Sequence, residues 1–401
     1  MIGSIRFGLC AQLVSDRANG LDFQIGLEHI QSGTGRLLEV DTDYSGQGIA
    51  FQPGDILFGK LRPYLAKAWL ADRAGAAVGD FLVFRPRIGI SARFLAYVLV
   101  SEAFIAPINA ATKGAKMPRA NWDTVKSHHI RLPEFTEQEA IADLLDHELA
   151  SIDGLISRQE DLIEGLRERR SAIVDSAVWS GVTDGVEFAP TGLDIVPIAP
   201  VHWKRLRNKN IYCERTDVSE TGSEELLTVS HITGVTPRSQ KNVNMFEAES
   251  LEGYRLVHAG DLCINTMWAW MGAAGVSEFD GIVSPAYGVY APRPGVEYHG
   301  RFFDYLIRTT PYITEMTRNS RGITSSRLRL YPEVFLRMAT VLPPLEEQKT
   351  ISAYLDEHTA GTDALIATAQ QLIETAKERR AALITEAVTG RIDVPPTRKA
   401  A

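Results

Sequence analysis

Residues 132–156 read "LPEFTEQEAIADLLDHELASIDGLI", and residues 342–366 read "LPPLEEQKTISAYLDEHTAGTDALI". With a fixed offset of 210 positions and no gap, Glu137-Gln138 falls on Glu347-Gln348 and Leu145-Asp146 on Leu355-Asp356. Asp153 likewise falls on Asp363, Glu168-Arg169-Arg170 on Glu378-Arg379-Arg380, and Ala177-Val178 on Ala387-Val388. An offset held without insertion marks a regular element whose length matters. The period is far above the 20–50 residues of solenoid arrays, so the chain reads as two domain-sized halves.

Within each copy the apolar residues step by three and four. They run through Ile141, Leu145, Leu149, Ile152 and Leu155-Ile156 in the first copy. In the second they run through Ile351, Leu355, Leu365-Ile366 and Leu372-Ile373. This spacing predicts an amphipathic helix in each, with a near-heptad seam. Thr136 and Glu139 have capping-box spacing after Leu132-Pro133. Gly181 and Gly390 are expected to close the two helices. Such helices form rods of roughly 60 Å that are not stable alone. Two similar rods in one chain most simply pack on each other, and the periodicity leaves both orientations open. Periodicity alone is also compatible with a plain coiled-coil adaptor.

The chain of 401 residues suffices for two or three domains. Its 45% hydrophobic and 23% charged residues are those of a globular protein. The absence of an apolar run near 18 residues predicts no membrane span. The polar start "MIGSIRFGLCAQ" predicts no signal peptide. Cys10, Cys213 and Cys263 are scattered, which predicts neither disulfides nor a cysteine metal site and suggests a cytoplasmic protein. Net charge is −8, but it is unevenly spread. Residues 1–131 carry 15 basic against 11 acidic side chains, and residues 132–190 carry 4 against 14. Residues 191–341 balance at 16 against 16, and 342–401 hold 7 against 9. The acid is concentrated in the repeats, so local basic patches outside them remain open to a polyanionic partner.

The intervening regions are short β-type runs broken by Gly and Pro, followed by helical stretches. They echo each other more weakly. "FQPGDILFGKLRPYLAKAWL" (51–70) matches "VHAGDLCINTMWAWMGAAGV" (257–276) in placing Gly-Asp before an apolar strand and a basic or aromatic tip. "ARFLAYVLV" (92–100) echoes "GRFFDYLIR" (300–308). The expected organisation is a first domain over 1–131 and a first helical region over 132–190. A second domain with its lead-in follows over 191–341, and a second helical region with a tail over 342–401. The rods have stayed alike while the domains have diverged.

This order resembles the specificity subunits of type I restriction–modification systems. The resemblance is carried by the paired "LPxxxEQ" entries at Leu132 and Leu342, the "ERR" helices, "EAVTGRID" (386–393), and "VPIAPVHWKRLR" (196–207) with Trp203 as anchor. Many relatives carry such a lead-in before the first domain too, whereas here the sequence opens almost directly at "IGSIRFGLCAQ". The resemblance implies an α+β chain in which two target-recognition domains of mixed sheet and helix alternate with two long helices packed as an antiparallel coiled coil. It implies a non-catalytic protein that binds double-stranded DNA at an asymmetric bipartite target, one domain per half-site, with the helices as a ruler. It further implies that two modification (methyltransferase) subunits dock on the helical regions, joined by restriction/translocase subunits. The assembled complex would be a restriction endonuclease and adenine-specific DNA methyltransferase. No cofactor is expected in this chain; S-adenosylmethionine, ATP and Mg would belong to the partners. A specificity module of another methyltransferase–nuclease assembly shares the same mechanics.

Motifs that suggest an enzyme are weak. Gly54–Lys60 fits GxxxxGK, but Leu61 follows where Ser or Thr should ligate magnesium, and the apolar interior reads as a strand. "SPAY" (284–287) lacks the second Pro of a methyltransferase motif, and His128-His129 lacks partners at metal-ligand spacing. Basic clusters fare better. Lys113, Lys116, Arg119, Lys126 and Arg131 lie in one stretch, and Arg318, Arg321, Arg327, Arg329 and Arg337 in the matching one, both read as loops. Lys60, Arg62 and Tyr64 mark a second candidate tip, matched by Asn265, Thr266, Trp268 and Trp270. Lysine and arginine at such places neutralise phosphates, and an arginine reads guanine bidentately. The aromatic residues are equally compatible with a core role.

Overall fold

The computed structural model describes residues 3–18, 22–39, 46–112, 117–240, 250–322, 328–392 and 394. The chain divides into two compact units, Met1–Asp161 with Ala369–Ala401, and Leu162–Thr368. Both are mixtures of helix and antiparallel sheet. Helices Phe135–Ser180 and Leu345–Thr389, of 46 and 45 residues, run unbroken through the repeated segments. Each unit takes the start of one long helix and the end of the other.

The first unit holds a four-stranded antiparallel sheet ordered Ala11–Val14, Phe81–Pro86, Ile56–Gly59, Ala68–Leu70. The second repeats it with Tyr212–Glu214, Tyr287–Pro292, Leu262–Asn265, Ala274–Val276. Even the register is shared: Ile56 faces Phe84 and Leu70, and Leu262 faces Tyr290 and Val276. A two-stranded ribbon leads into each long helix, Gly3–Arg6 with His129–Leu132 in one unit and Lys204–Arg207 with Ala339–Leu342 in the other. The "VPIAP" lead-in forms a hairpin, Phe188–Leu193 with Val196–Pro200.

Why the helices sit where they do follows from their apolar stripes. In the first unit Ile141, Leu145 and Leu149 from one helix and Ile384, Ala387 and Val388 from the other complete a core of Phe7, Phe58, Phe84, Phe94 and Phe104. In the second, Val174, Ala177 and Val178 join Ile351 and Leu355 against Tyr212, Tyr290, Phe302 and Phe335. Since each unit pairs the beginning of one helix with the end of the other, the packing is antiparallel in both. The ion pairs say the same. Arg380 donates to Asp153 at 3.0 Å in the first unit, and Arg170 to Asp363 at 2.7 Å in the second. These are one pair of repeat positions with the two copies exchanged.

The repeated motif residues have identifiable jobs. Gln138 and Gln348 are buried. Gln138 Oε1 accepts the Ser91 N–H at 2.8 Å, and its Nε2 donates to the Pro133 carbonyl at 2.9 Å. Gln348 does likewise with the His299 N–H at 3.0 Å and the Pro343 carbonyl at 3.0 Å. Each amide thus ties the first turn of a long helix to the start of a domain helix. Glu137 accepts from Arg131, and Glu347 from the Trp203 indole at 3.1 Å. Two turns further, Asp146 accepts from Arg93 and Tyr97, and Asp356 from Arg301 and Tyr305. This explains the "ARFLAY"/"GRFFDY" echo. Burial acts to raise the Asp356 carboxyl, but hydrogen bonds from Arg301 and Tyr305 outweigh it and hold it below the usual range. Burial, then Asp146, pushes the Tyr97 hydroxyl upward.

The expected capping box is not formed. The first long helix begins at Phe135, so Thr136 lies inside it, and Glu139 pairs with Arg93 rather than reaching back to a cap. Gln138 takes over the tethering of that end. The helices do stop before Gly181 and Gly390, both in the left-handed conformation that favours glycine. No single helix among the described residues is long and apolar enough to cross a membrane. The apolar pair Ala92–Val100 and Glu102–Ala110 owes its composition to burial in the first core.

Replacing Gln138 or Gln348 by Ala leaves a buried N–H and a buried carbonyl unpaired. Each change is expected to lower stability by roughly 2–4 kcal/mol, read as a shift of the urea midpoint without a change in slope. The exchanged arginines should differ despite their equivalence. Arg380 is 8% exposed and also donates to the carbonyls of Gly33 and Thr34, whereas Arg170 is 31% exposed. Arg380→Ala is expected to cost about 2 kcal/mol and Arg170→Ala less than about 1 kcal/mol in the same titration.

Candidate nucleic-acid interface

The Gly-Asp echo marks the base of an equivalent tip in each unit. Asp55 is buried and accepts the Gln52 N–H at 2.9 Å and both nitrogens of Arg85 at 2.7 Å. Asp261 is buried and accepts the His258 N–H at 2.9 Å and Arg215 at 2.7 and 3.1 Å. A charge-assisted fork thus anchors the turn that precedes each strand. Gly54–Lys60 is therefore a turn feeding the buried strand Ile56–Gly59, as its apolar interior suggested. Ser284–Tyr287 is likewise a turn entering strand Tyr287–Pro292.

Beyond each strand the chain makes one 3-10 turn, Pro63–Leu65 in the first unit and Ala269–Met271 in the second. A second segment runs beside each tip. The Ala120 N–H donates to the Lys60 carbonyl at 2.8 Å, and the Leu330 N–H to the Thr266 carbonyl at 2.9 Å. The residues just before and after the turns also correspond. Arg62 and Ala66 flank the first at φ 50° and 46°; Trp268 and Gly272 flank the second, Gly272 at φ 80°. Arg62 and Ala66 are left-handed without being glycine, a conformation that costs on the order of 1–3 kcal/mol each and concentrates at functional positions.

The first tip is cationic. Asp80 sits between Lys60 at 3.7 Å and Arg119 at 2.9 Å, fixing both heads beside the turn. Arg62 is exposed and in no ion pair among the described residues, and Tyr64 is exposed beside it. The second tip is aromatic. Met267 and Trp268 are 46% and 47% exposed, and the Trp268 ring stacks on Trp270 with centroids 6.1 Å apart. Arg329 donates to Thr266 Oγ1 at 3.3 Å, lies 5.8 Å from the Tyr331 ring, and is bridged through its backbone to Arg321.

The structure thus gathers Lys60, Arg62, Tyr64 and Arg119 at one tip, and Trp268, Arg321 and Arg329 at the other. Asn265 and Thr266 are buried; Asn265 Oδ1 accepts the Met267 N–H at 3.3 Å, so it braces the turn instead of presenting itself. Lys113, Lys116 and Arg327 lie outside the described residues. The basic clusters are not single loops. Lys126 is on helix Trp122–Ser127 and pairs with Asp123, and Arg318 is on helix Thr310–Asn319 and pairs with Asp194 and Glu315. Arg131 is in a strand and pairs with Glu137. Backbone pairing to elements distant in sequence separates them, which a count of charges does not reveal. His128 packs edge-on against Phe104 at 5.3 Å. Among the described residues no group of three His, Cys, Asp or Glu is placed to hold a metal ion. Sequence reasoning missed Asp80, whose only signal was its position one residue before the strand that pairs with Ile56–Gly59.

No family model matches the chain. The type I restriction enzyme EcoBI specificity subunit of Escherichia coli is 27% identical over 145 residues, which cover 35% of this chain and 30% of that subunit. A structure solved for the complex assembly and conformational transition of the type I R-M system superposes with a TM-score of 0.67 at 16% identity, covering 97% of this chain and 98% of that one. The HsdS subunit from Thermoanaerobacter tengcongensis gives a TM-score of 0.44 at 17% identity, with 97% of both chains covered. The partial sequence match is thus to a specificity subunit of a type I restriction enzyme, and along nearly its whole length the chain shares the fold of the solved type I R-M structure.

Proposed function

We propose that this chain is the DNA sequence-recognition subunit of a type I restriction–modification complex, binding an asymmetric bipartite duplex target with one unit per half-site. The observation that carries this reading is the pair of equivalent tips. The scaffold beneath them is repeated to the register of the sheet, while the side chains they present differ. A protein that reads two different short sequences needs that combination. Lys60, Arg62, Tyr64 and Arg119 would contact one half-site, and Trp268, Arg321 and Arg329 the other, with Lys113, Lys116 and Arg327 in the adjoining segments. Modification subunits would dock on the long helices, with restriction subunits added to them. Methyl transfer and cleavage would belong to those partners, together with S-adenosylmethionine, ATP and Mg. The chain itself would act without a catalytic site, in the cytoplasm.

Selection from a random-sequence duplex pool with the full chain is expected to enrich two unlike half-sites at a fixed separation. A pool that emerges unenriched would defeat the reading. The purified chain alone is expected to transfer no methyl group from labelled S-adenosylmethionine. Arg329→Ala is expected to weaken the selected target by about 1–3 kcal/mol while binding to random duplex changes little. A loss shared by all sequences, with a salt slope lower by about one, would instead assign Arg329 to a phosphate.

A further inference from the structure

The second tip departs from the first in a way that charge matching to DNA does not require. A large aromatic exposed beside an exposed methionine is unusual for a surface turn, and this turn is tightly held. The Trp268 N–H donates to the Asn265 carbonyl at 2.9 Å, and the Trp270 indole to the Met267 carbonyl at 3.0 Å. Thr317 Oγ1 donates to the Trp270 carbonyl at 3.3 Å. Gly272 is pressed so closely on helix Thr310–Asn319 that a Cβ there would come within 2.6 Å of Ile313. Ala269 is fully buried between the exposed and the stacked tryptophan. The result is a stiff apolar projection with a cation, Arg329, at its base.

An apolar side chain held rigidly next to cations is the arrangement by which proteins enter and partly unstack a base step. Aromatic stacking on a base is tolerant of sequence and strong enough to repay local unstacking. The first unit places Arg62 at the corresponding position, which suits a hydrogen bond to a base edge or phosphate instead. We infer that Trp268, backed by Trp270 and flanked by Met267, is a wedge that unstacks a base step in the half-site read by the second unit, while the first unit reads its half-site without such distortion. This rests on the DNA-recognition reading above and adds the mode by which one half-site is engaged.

The test uses the full chain and the duplex enriched by the wild-type protein, with 2-aminopurine replacing each adenine in turn. This base brightens when it loses a stacking neighbour. Binding is expected to brighten a position in one half-site only. Trp268→Ala should abolish that signal and weaken affinity about tenfold, Trp268→Phe should keep most of both, and Ile88→Ala, on a fully exposed turn of the first unit, should leave the signal in place. Specific binding by the wild type without brightening at any position overturns the wedge. So does a signal that survives Trp268→Ala. If the wild-type chain enriches no sequence, the DNA reading itself fails, an outcome distinct from either. Because Trp268 is on the surface of a braced turn, unchanged unfolding midpoints for these variants separate loss of contact from loss of fold.

Discussion

Neither domain sheet closes a core by itself. Each domain sheet and its short helices leave an apolar face, and that face is covered by the first turns of one long helix and the last turns of the other. A helix with one apolar stripe has no stable existence in water, and neither has a domain with an open core. The dependence is mutual, and it accounts for the features that the two copies of the repeat retain. The buried glutamine, the aspartate that accepts an Arg–Tyr pair, and the exchanged Arg–Asp pairs all sit where long helix meets domain or helix meets helix. Insertions are excluded from these segments because one added residue would rotate every such contact by about 100° around the helix.

The domains diverged under a different constraint. Their strand order and register are kept, and so is the buried Gly-Asp carboxylate, although its arginine partner comes from a different strand region in each, Arg85 in one and Arg215 in the other. The anchoring charge pair was therefore retained by function within the fold, not by position. Past that anchor, the turn is free to present different chemistry. Arginine and tyrosine stand in one unit where tryptophans stand in the other. Fixed scaffolding with exchangeable tips lets one fold present two different surfaces.

Much of this was legible in the residues. The ungapped repeat announced two long helices and their ends, since Gly181 and Gly390 stop helices for a local backbone reason. The "GDILFGK" string announced a strand, since its apolar interior is incompatible with a cradle of exposed amides. The basic stretches were less legible. Lys126, Arg131 and Arg318 are near the other cations in sequence but are spent on carboxylates within their own elements or on neighbouring ones. Asn265 was grouped with the candidate tip by its place in the chain, whereas the strand carries it inward to brace the turn.

By itself, then, the sequence determined the secondary elements, the duplication and the alternation of domain and rod, because those depend on periodicity and local backbone preference. It left the helix orientation open, because a stripe of leucines packs either way. The antiparallel arrangement was decided by tertiary structure, where Asp153 and Arg380 meet in one unit and Arg170 and Asp363 in the other. Which charges and aromatics share a tip was also decided there. Lys60, Asp80 and Arg119 come together only because the strands that Lys60 and Asp80 adjoin hydrogen-bond side by side and Arg119 bridges to Leu61, and long-range pairing of that kind leaves no periodic trace in the chain.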